Sequence, residues 1–157
     1  MTSPVPDGYP RLMPYLIVDD AEAAIKFYGE VLGATERMRM SGPDGRIGHA
    51  ELGIGDSVLM LADENPEMGV RAPRRIGDTP VMMYVYVDDV DGAFERALAA
   101  GAKTVRELED RFYGDRAGQL EDPFGHRWDI ATHTEDVSEA EMAKRAAEVV
   151  EAAPGSA

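Results

Sequence analysis

Tyr15-Leu16-Ile17-Val18-Asp19-Asp20-Ala21-Glu22-Ala23-Ala24 returns later in the chain as Tyr84-Val85-Tyr86-Val87-Asp88-Asp89-Val90-Asp91-Gly92-Ala93, at one fixed offset. A repeat at a fixed offset signals a duplicated structural unit. Each copy opens with a β-branched and aromatic run and then changes to small residues at helical spacing. That change of period marks a strand feeding a helix. Asp20 and Asp89 are the expected N-caps, with Glu22 and Asp91 placing acid in the first turn where the helix dipole favours it. Ala24, Ile25, Phe27, Tyr28, Val31 and Leu32 line one face of the first helix, and Ala93, Phe94, Ala97 and Leu98 one face of the second. Gly33 and Gly101 follow the helices, where glycine takes the left-handed C′ conformation.

Three strand-like runs follow each helix. In the first copy they fall at about 34–40, 46–54 and 57–62, divided by Ser41-Gly42-Pro43-Asp44-Gly45 and by Gly55-Asp56. In the second they fall at about 103–108, 116–121 and 126–132, with Asp122-Pro123-Phe124-Gly125 as the last turn. The pattern predicts an α+β fold of two βαβββ modules whose mixed sheets curve into a cup. As one domain over 1–157, it divides into a first module at 9–62, a linker loop at 63–79, a second module at 80–133 and an extra C-terminal helix at 136–151. The Pro- and Gly-rich linker is the expected mobile loop, and the tail beyond the last helix is expected to fray.

Bulk composition narrows the function classes. The 157 residues include no cysteine, which removes disulfides, thiolate metal ligation and a cysteine nucleophile. A net charge of −14 repels phosphate backbones, so nucleic acid is not an expected partner. No apolar run approaches the roughly 20 residues of a membrane span, and the first residues lack the pattern of a signal peptide. The expected setting is cytoplasmic, with no membrane partner.

Val18-Asp19-Asp20 through Ile25-Lys26-Phe27-Tyr28-Gly29-Glu30-Val31-Leu32-Gly33 resembles the opening motif of the vicinal-oxygen-chelate superfamily of glyoxalases, bleomycin-resistance proteins and dioxygenases. Asp122-Pro123-Phe124-Gly125-His126-Arg127-Trp128-Asp129 is similar to its closing strand, and the run from Tyr9 to Ser138 looks most like the PhnB-like branch. The resemblance implies ligand or metal bound between two curved sheets, and commonly a homodimer. It also implies metal ligands, usually His or Glu, on strands one, three or four, five and eight. Aligned on the Asp-Asp turns, those positions hold Met13, Glu51, Met82 and Asp129. Two thioethers in place of hard ligands do not suit Zn, Ni, Mg or Fe(II).

Strand alternation names the rest of the expected cup. Met13, Tyr15, Met82, Tyr84, Tyr86 and Arg127 face inward as ligand-binding residues, with Phe112 and Tyr113 at the rim. Apolar walls with a few fixed polar groups are what a small-molecule site requires. The leading expectation is therefore a protein without cofactor that binds or sequesters an aromatic or cationic ligand, as drug-resistance members do. The alternative is a metal-dependent lyase, isomerase or dioxygenase with a divalent ion held by His49, Glu51 and Asp129. In a third reading Glu51 or Asp129 acts as a catalytic base without metal; structurally, both are equally open to pairing with Arg127 or Arg46. His126 is assigned to structure and His133 to an exposed strand end.

Overall fold

The computed structural model describes residues 2–153; residues 154–157, within the tail expected to fray, lie outside the described residues. The chain builds two copies of one unit. The first comprises β1 (Tyr15–Val18), α1 (Ala21–Leu32), β2 (Thr35–Ser41), β3 (Ile47–Ile54) and β4 (Ser57–Asp63). The second comprises β5 (Met82–Tyr86), α3 (Val90–Ala99), β6 (Lys103–Asp110), β7 (Asp115–Glu121) and β8 (Arg127–His133). Each forms a four-stranded mixed sheet, ordered β1-β4-β3-β2 and β5-β8-β7-β6. In both, the first strand pairs parallel with the fourth and the remaining pairs are antiparallel. Helix α4 (Glu139–Ala152) completes an α+β chain.

The caps fall where the sequence puts them. Asp20 accepts from the Ala23 amide and Asp89 from the Gly92 amide, each satisfying a helix-end donor that would otherwise be orphaned. Gly33 ends α1 in the left-handed conformation at φ 67°. Leu16 and Val18 are buried while Tyr15 is open, and Met83 is buried while Met82, Tyr84 and Tyr86 are open, so the period-2 reading of both strands holds.

Between Asp63 and Met82 the structure differs from a plain loop. A 3-10 turn at Pro66–Met68 and a one-turn helix, α2 (Pro73–Ile76), interrupt it. Glu64 anchors the segment by accepting from the Ala72 amide at 3.0 Å and from the Arg75 guanidinium at 2.7 Å. The Arg75 guanidinium, with the Ala72 amide, lowers the Glu64 carboxyl to about 2.

A single apolar core spans both modules, running from Leu16, Val18 and Leu61 through the inner faces of α1 and α3 to Trp128 and Ile130. Burial of each large side chain there contributes about 1.5–3 kcal/mol. The seam also carries a polar knot. Asp122, in the Asp-Pro-Phe-Gly turn, accepts from the buried Tyr28 hydroxyl of α1 and, at 2.9 Å, from Trp128 Nε1. Its other oxygen accepts from the Phe124 and His126 amides at 2.9 Å. His126 is buried and its Nε2 lies 2.8 Å from the Ile17 carbonyl, in keeping with the structural role expected of it.

Candidate functional site

The expected cup residues divide among three places. Met13, Met82, Tyr84 and Tyr86 line a cavity of about 950 Å³ at the seam between the modules. Its walls are the segment before β1, the C-terminal end of α1, the β3–β4 turn and β5 with the residues that follow it. Tyr15 lies outside that cavity, on the open face of the first sheet with His49 and Glu51. Arg127, Asp129, Phe112 and Tyr113 belong to the second module and also lie outside it. The alternation that decides which face a residue occupies says nothing about how far apart two faces end up.

On the second sheet, Tyr84 and Tyr86 donate their hydroxyls to one oxygen of Asp115, at 2.6 and 2.8 Å. The two rings stand 5.4 Å apart, tilted by 57°, and each remains about half exposed. Asp115 is buried, and its second oxygen lies 2.8 Å from His133 Nδ1. Burial works to raise the Asp115 carboxyl, but hydrogen bonds from Tyr84, His133 and Tyr86 prevail and hold it below its usual value. Burial, the bond to Asp115 and the nearby Tyr113 raise the Tyr84 hydroxyl, and the bond to Asp115 raises that of Tyr86. His133 Nε2 lies 2.8 Å from Asp136, and the two carboxylates raise its pKa, Asp115 foremost. His133 is the exposed strand end expected of it, and it also bridges Asp115 and Asp136. The alternation of β5 exposes its tyrosines; nothing in the sequence linked them to Asp115 or to His133.

The first sheet carries a second polar chain. Tyr9 donates to Glu51 Oε1 at 2.6 Å, His49 Nε2 lies 2.8 Å from Glu51 Oε2, and Tyr15 Oη lies 2.8 Å from His49 Nδ1. The Tyr9 hydroxyl, then His49, holds the buried Glu51 carboxyl below the usual carboxylate range. Burial raises the Tyr15 hydroxyl, and Glu51 adds to the effect. Arg37 stacks over the Tyr9 ring at 4.5 Å and donates to the Gly8 carbonyl, fixing the segment that covers Glu51. Tyr9 is the residue the sequence reading missed, because it lies in no regular element.

Neither carboxylate pairs with the arginines considered for it. Asp129 accepts from Gln119 at 3.2 Å, Arg127 approaches Asp78 at 3.6 Å, and Arg46 donates to the Glu64 carbonyl. His49 and Glu51 spend their polar atoms on each other and on tyrosines, while Asp129 belongs to the other sheet. Among the described residues no three His, Asp or Glu gather to hold a metal ion. His49, Glu51 and Asp129 of one chain therefore do not fit a divalent ion. Phe112 and Tyr113, half-buried at the β6–β7 turn, pack edge-to-face at 5.2 Å, and the Phe112 carbonyl accepts from Arg145 of α4.

Two mixed sheets in tandem, each led by a parallel pair around a capped helix, agree with a family model matched over residues 9–130. The chain belongs to the Glyoxalase/Bleomycin resistance protein/Dioxygenase superfamily. An uncharacterised protein of Mycobacterium bovis is 46% identical over 132 residues, which cover 82% of this chain and 87% of the relative. A Mycobacterium tuberculosis protein, also uncharacterised, is 46% identical over 132 residues and is covered over 78% of its length. Among solved structures, TioX from Micromonospora sp. ML1 is 30% identical with a TM-score of 0.62, over 79% of this chain and 98% of that one. A fosfomycin resistance protein from Listeria monocytogenes, solved with Mn(II) and sulfate, shares the fold at 17% identity and a TM-score of 0.62, over 87% of this chain and 97% of that one. No helix among the described residues is long and apolar enough to cross a membrane.

Proposed function

We propose that this protein binds, and by binding sequesters, a small cationic aromatic compound in the seam cavity. The observation that carries the reading is the pair of half-exposed tyrosines whose hydroxyls are fixed on a buried carboxylate. A tyrosine ring held in one orientation has already lost the rotamer freedom that binding would otherwise cost it. Its π face attracts a cation by about 0.5–2 kcal/mol per ring. Asp56, Asp88 and Asp89 line the same cavity, whereas Arg96, its one basic lining residue, is bonded to the Glu30 and Val31 carbonyls. Methionines 13 and 82 add walls that adapt to an irregular ligand. A volume of about 950 Å³ suits a drug-sized molecule. The bleomycin-resistance branch of the superfamily name supports a drug-binding role of this kind.

The same reading makes the protein a homodimer. β2 and β6 are sheet edges, and Met40 and Val105 on them are exposed, which favours a second copy covering these surfaces. Light scattering on the eluting protein should give twice the chain mass, and a monomer at micromolar concentration would remove this part of the reading.

Fluorescence titration with ethidium, a planar aromatic cation, and with an uncharged phenanthridine of the same shape tests the binding. The cation should bind at least tenfold more tightly than the uncharged ring. Tyr84→Ala/Tyr86→Ala should weaken ethidium binding roughly five- to thirtyfold, from about 1–2 kcal/mol of lost stacking. Equal affinities for the two probes, or an unaffected double variant, would overturn the reading.

A further inference from the structure

Glu51, the carboxylate expected to act as a base, cannot reach a ligand itself. It is buried, with one oxygen covered by the Tyr9 hydroxyl and the other by His49. What the structure does expose is the far end of the chain of bonds that leads from it. An ionised carboxylate only accepts, so His49 Nε2 carries a hydrogen and donates to Glu51. In the neutral imidazole Nδ1 is then the acceptor, and the Tyr15 hydroxyl donates to it at 2.8 Å. With its hydrogen spent on His49, the Tyr15 oxygen turns lone pairs toward solvent from a side chain about half exposed.

We propose that Tyr15, His49 and Glu51 form a metal-free proton relay that makes the Tyr15 oxygen a nucleophile and general base. Tyr15 is the group that meets substrate, His49 takes its proton, and Glu51 fixes the imidazole tautomer and stabilises the imidazolium that forms. This is the logic of an activated nucleophile, a base and an orienting acid, with a phenol in place of a serine or cysteine. The substrates it fits are carbonyl or sulfonyl electrophiles and weak acids whose proton the phenolic oxygen can accept. Tyr15 passes its proton to His49 as it reacts. The relay goes beyond ligand binding, lies outside the seam cavity, and stands or falls on its own distances.

The 4-(2-aminoethyl)benzenesulfonyl fluoride probe tests the relay directly. Attack by Tyr15 Oη forms the O–S bond, breaks S–F, releases fluoride and delivers the phenolic proton to His49 Nδ1. Peptide mass spectrometry after timed exposure at pH 7.5 follows each tyrosine separately. Tyr86 is the internal control, since it is the more exposed ring and its hydroxyl is bonded to a carboxylate, a weaker base than imidazole. Tyr15 should be labelled at least tenfold faster than Tyr86. His49→Ala should abolish the advantage and added imidazole should restore part of it, a rescue that a purely structural histidine would not show. Glu51→Gln preserves the shape of the cluster, so it decides the matter if His49→Ala lowers the melting temperature; its Tyr15 rate should fall at least fivefold. Equal labelling of Tyr15 and Tyr86 in the unmodified protein, or a Tyr15 rate indifferent to both variants, would overturn the proposal.

Discussion

Asp122 shows how much one side chain can hold at the seam of a duplicated fold. Tyr28, Trp128 and the amides of Phe124 and His126 all donate to it, and all four residues are buried. Asp122→Ala leaves these donors without their acceptor, at about 3 kcal/mol or more in total. A melting temperature lower by about 6–12 °C should follow for a chain of this size. Tyr28→Phe removes a single donor and should cost about 1–2 kcal/mol. Equal losses for the two would deny Asp122 its central place. The titrating residues set a pH window. Glu51 and Asp115 are lowered in the fold, so the stability they contribute is present above their unfolded values, about 4, and is lost as pH falls further. His133 is raised, so its contribution is complete below about 6.5 and is lost as pH climbs through its folded value. Thermal stability should therefore be greatest between about pH 4.5 and 6.5, and His133→Gln should flatten the alkaline limb. An unchanged alkaline limb in that variant would show that the Asp115–His133–Asp136 chain contributes nothing.

Among the elements, the β6–β7 turn precedes Asp115 and helps to place it. Gly114 there has φ +98°, and a Cβ on it would lie 2.0 Å from the Glu135 carbonyl oxygen. Its own carbonyl accepts from the Thr134 and Glu135 amides, pressing the turn against the strand exit that carries His133 and Asp136. Gly114→Ala should destabilise the protein by about 2 kcal/mol or more through strain and backbone displacement. It should also weaken ethidium binding, because Asp115 follows directly. Normal affinity in a folded Gly114→Ala protein would show that the turn does not hold the tyrosine pair in place. Helix α4 is the opposite case. It buries no side chain and is tied down through Arg145, which bonds Glu135, Glu141 and the Phe112 carbonyl. Exposed ion pairs contribute about 0–1 kcal/mol each. Hydrogen exchange across α4 should therefore be far faster than in α1, and Arg145→Ala should speed it further while leaving the main melting transition within about 2 °C. Protection of α4 equal to that of α1 would contradict this.

Over the whole molecule, a net charge of −14 favours the approach of a cation before any contact forms. The association rate of ethidium should fall several-fold between about 0.01 and 0.15 M salt, as the screening length shortens from about 30 to 8 Å, while dissociation changes little. A rate insensitive to salt would show that the acidic surface serves solubility alone. At this scale the duplicated βαβββ order, both N-caps, the glycine stops and the alternating faces of β1, β5 and β8 were legible in the sequence. They depend on local signals: periods of two and of about 3.6 residues, and cap chemistry within a single turn. The functional grouping was not legible in the same way. Tyr84 and Tyr86 meet Asp115 and His133, Tyr9 closes over Glu51, and Asp122 reaches Tyr28 across the seam, through loop paths and sheet packing that no short-range pattern encodes. The family resemblance put Glu51 and Asp129 at ligand positions. Tertiary structure decided which neighbour each is bonded to. The sequence by itself thus determined the modules and their faces, because those follow from period and capping. Which faces meet, and hence which chemistry they share, was decided by how the two modules pack.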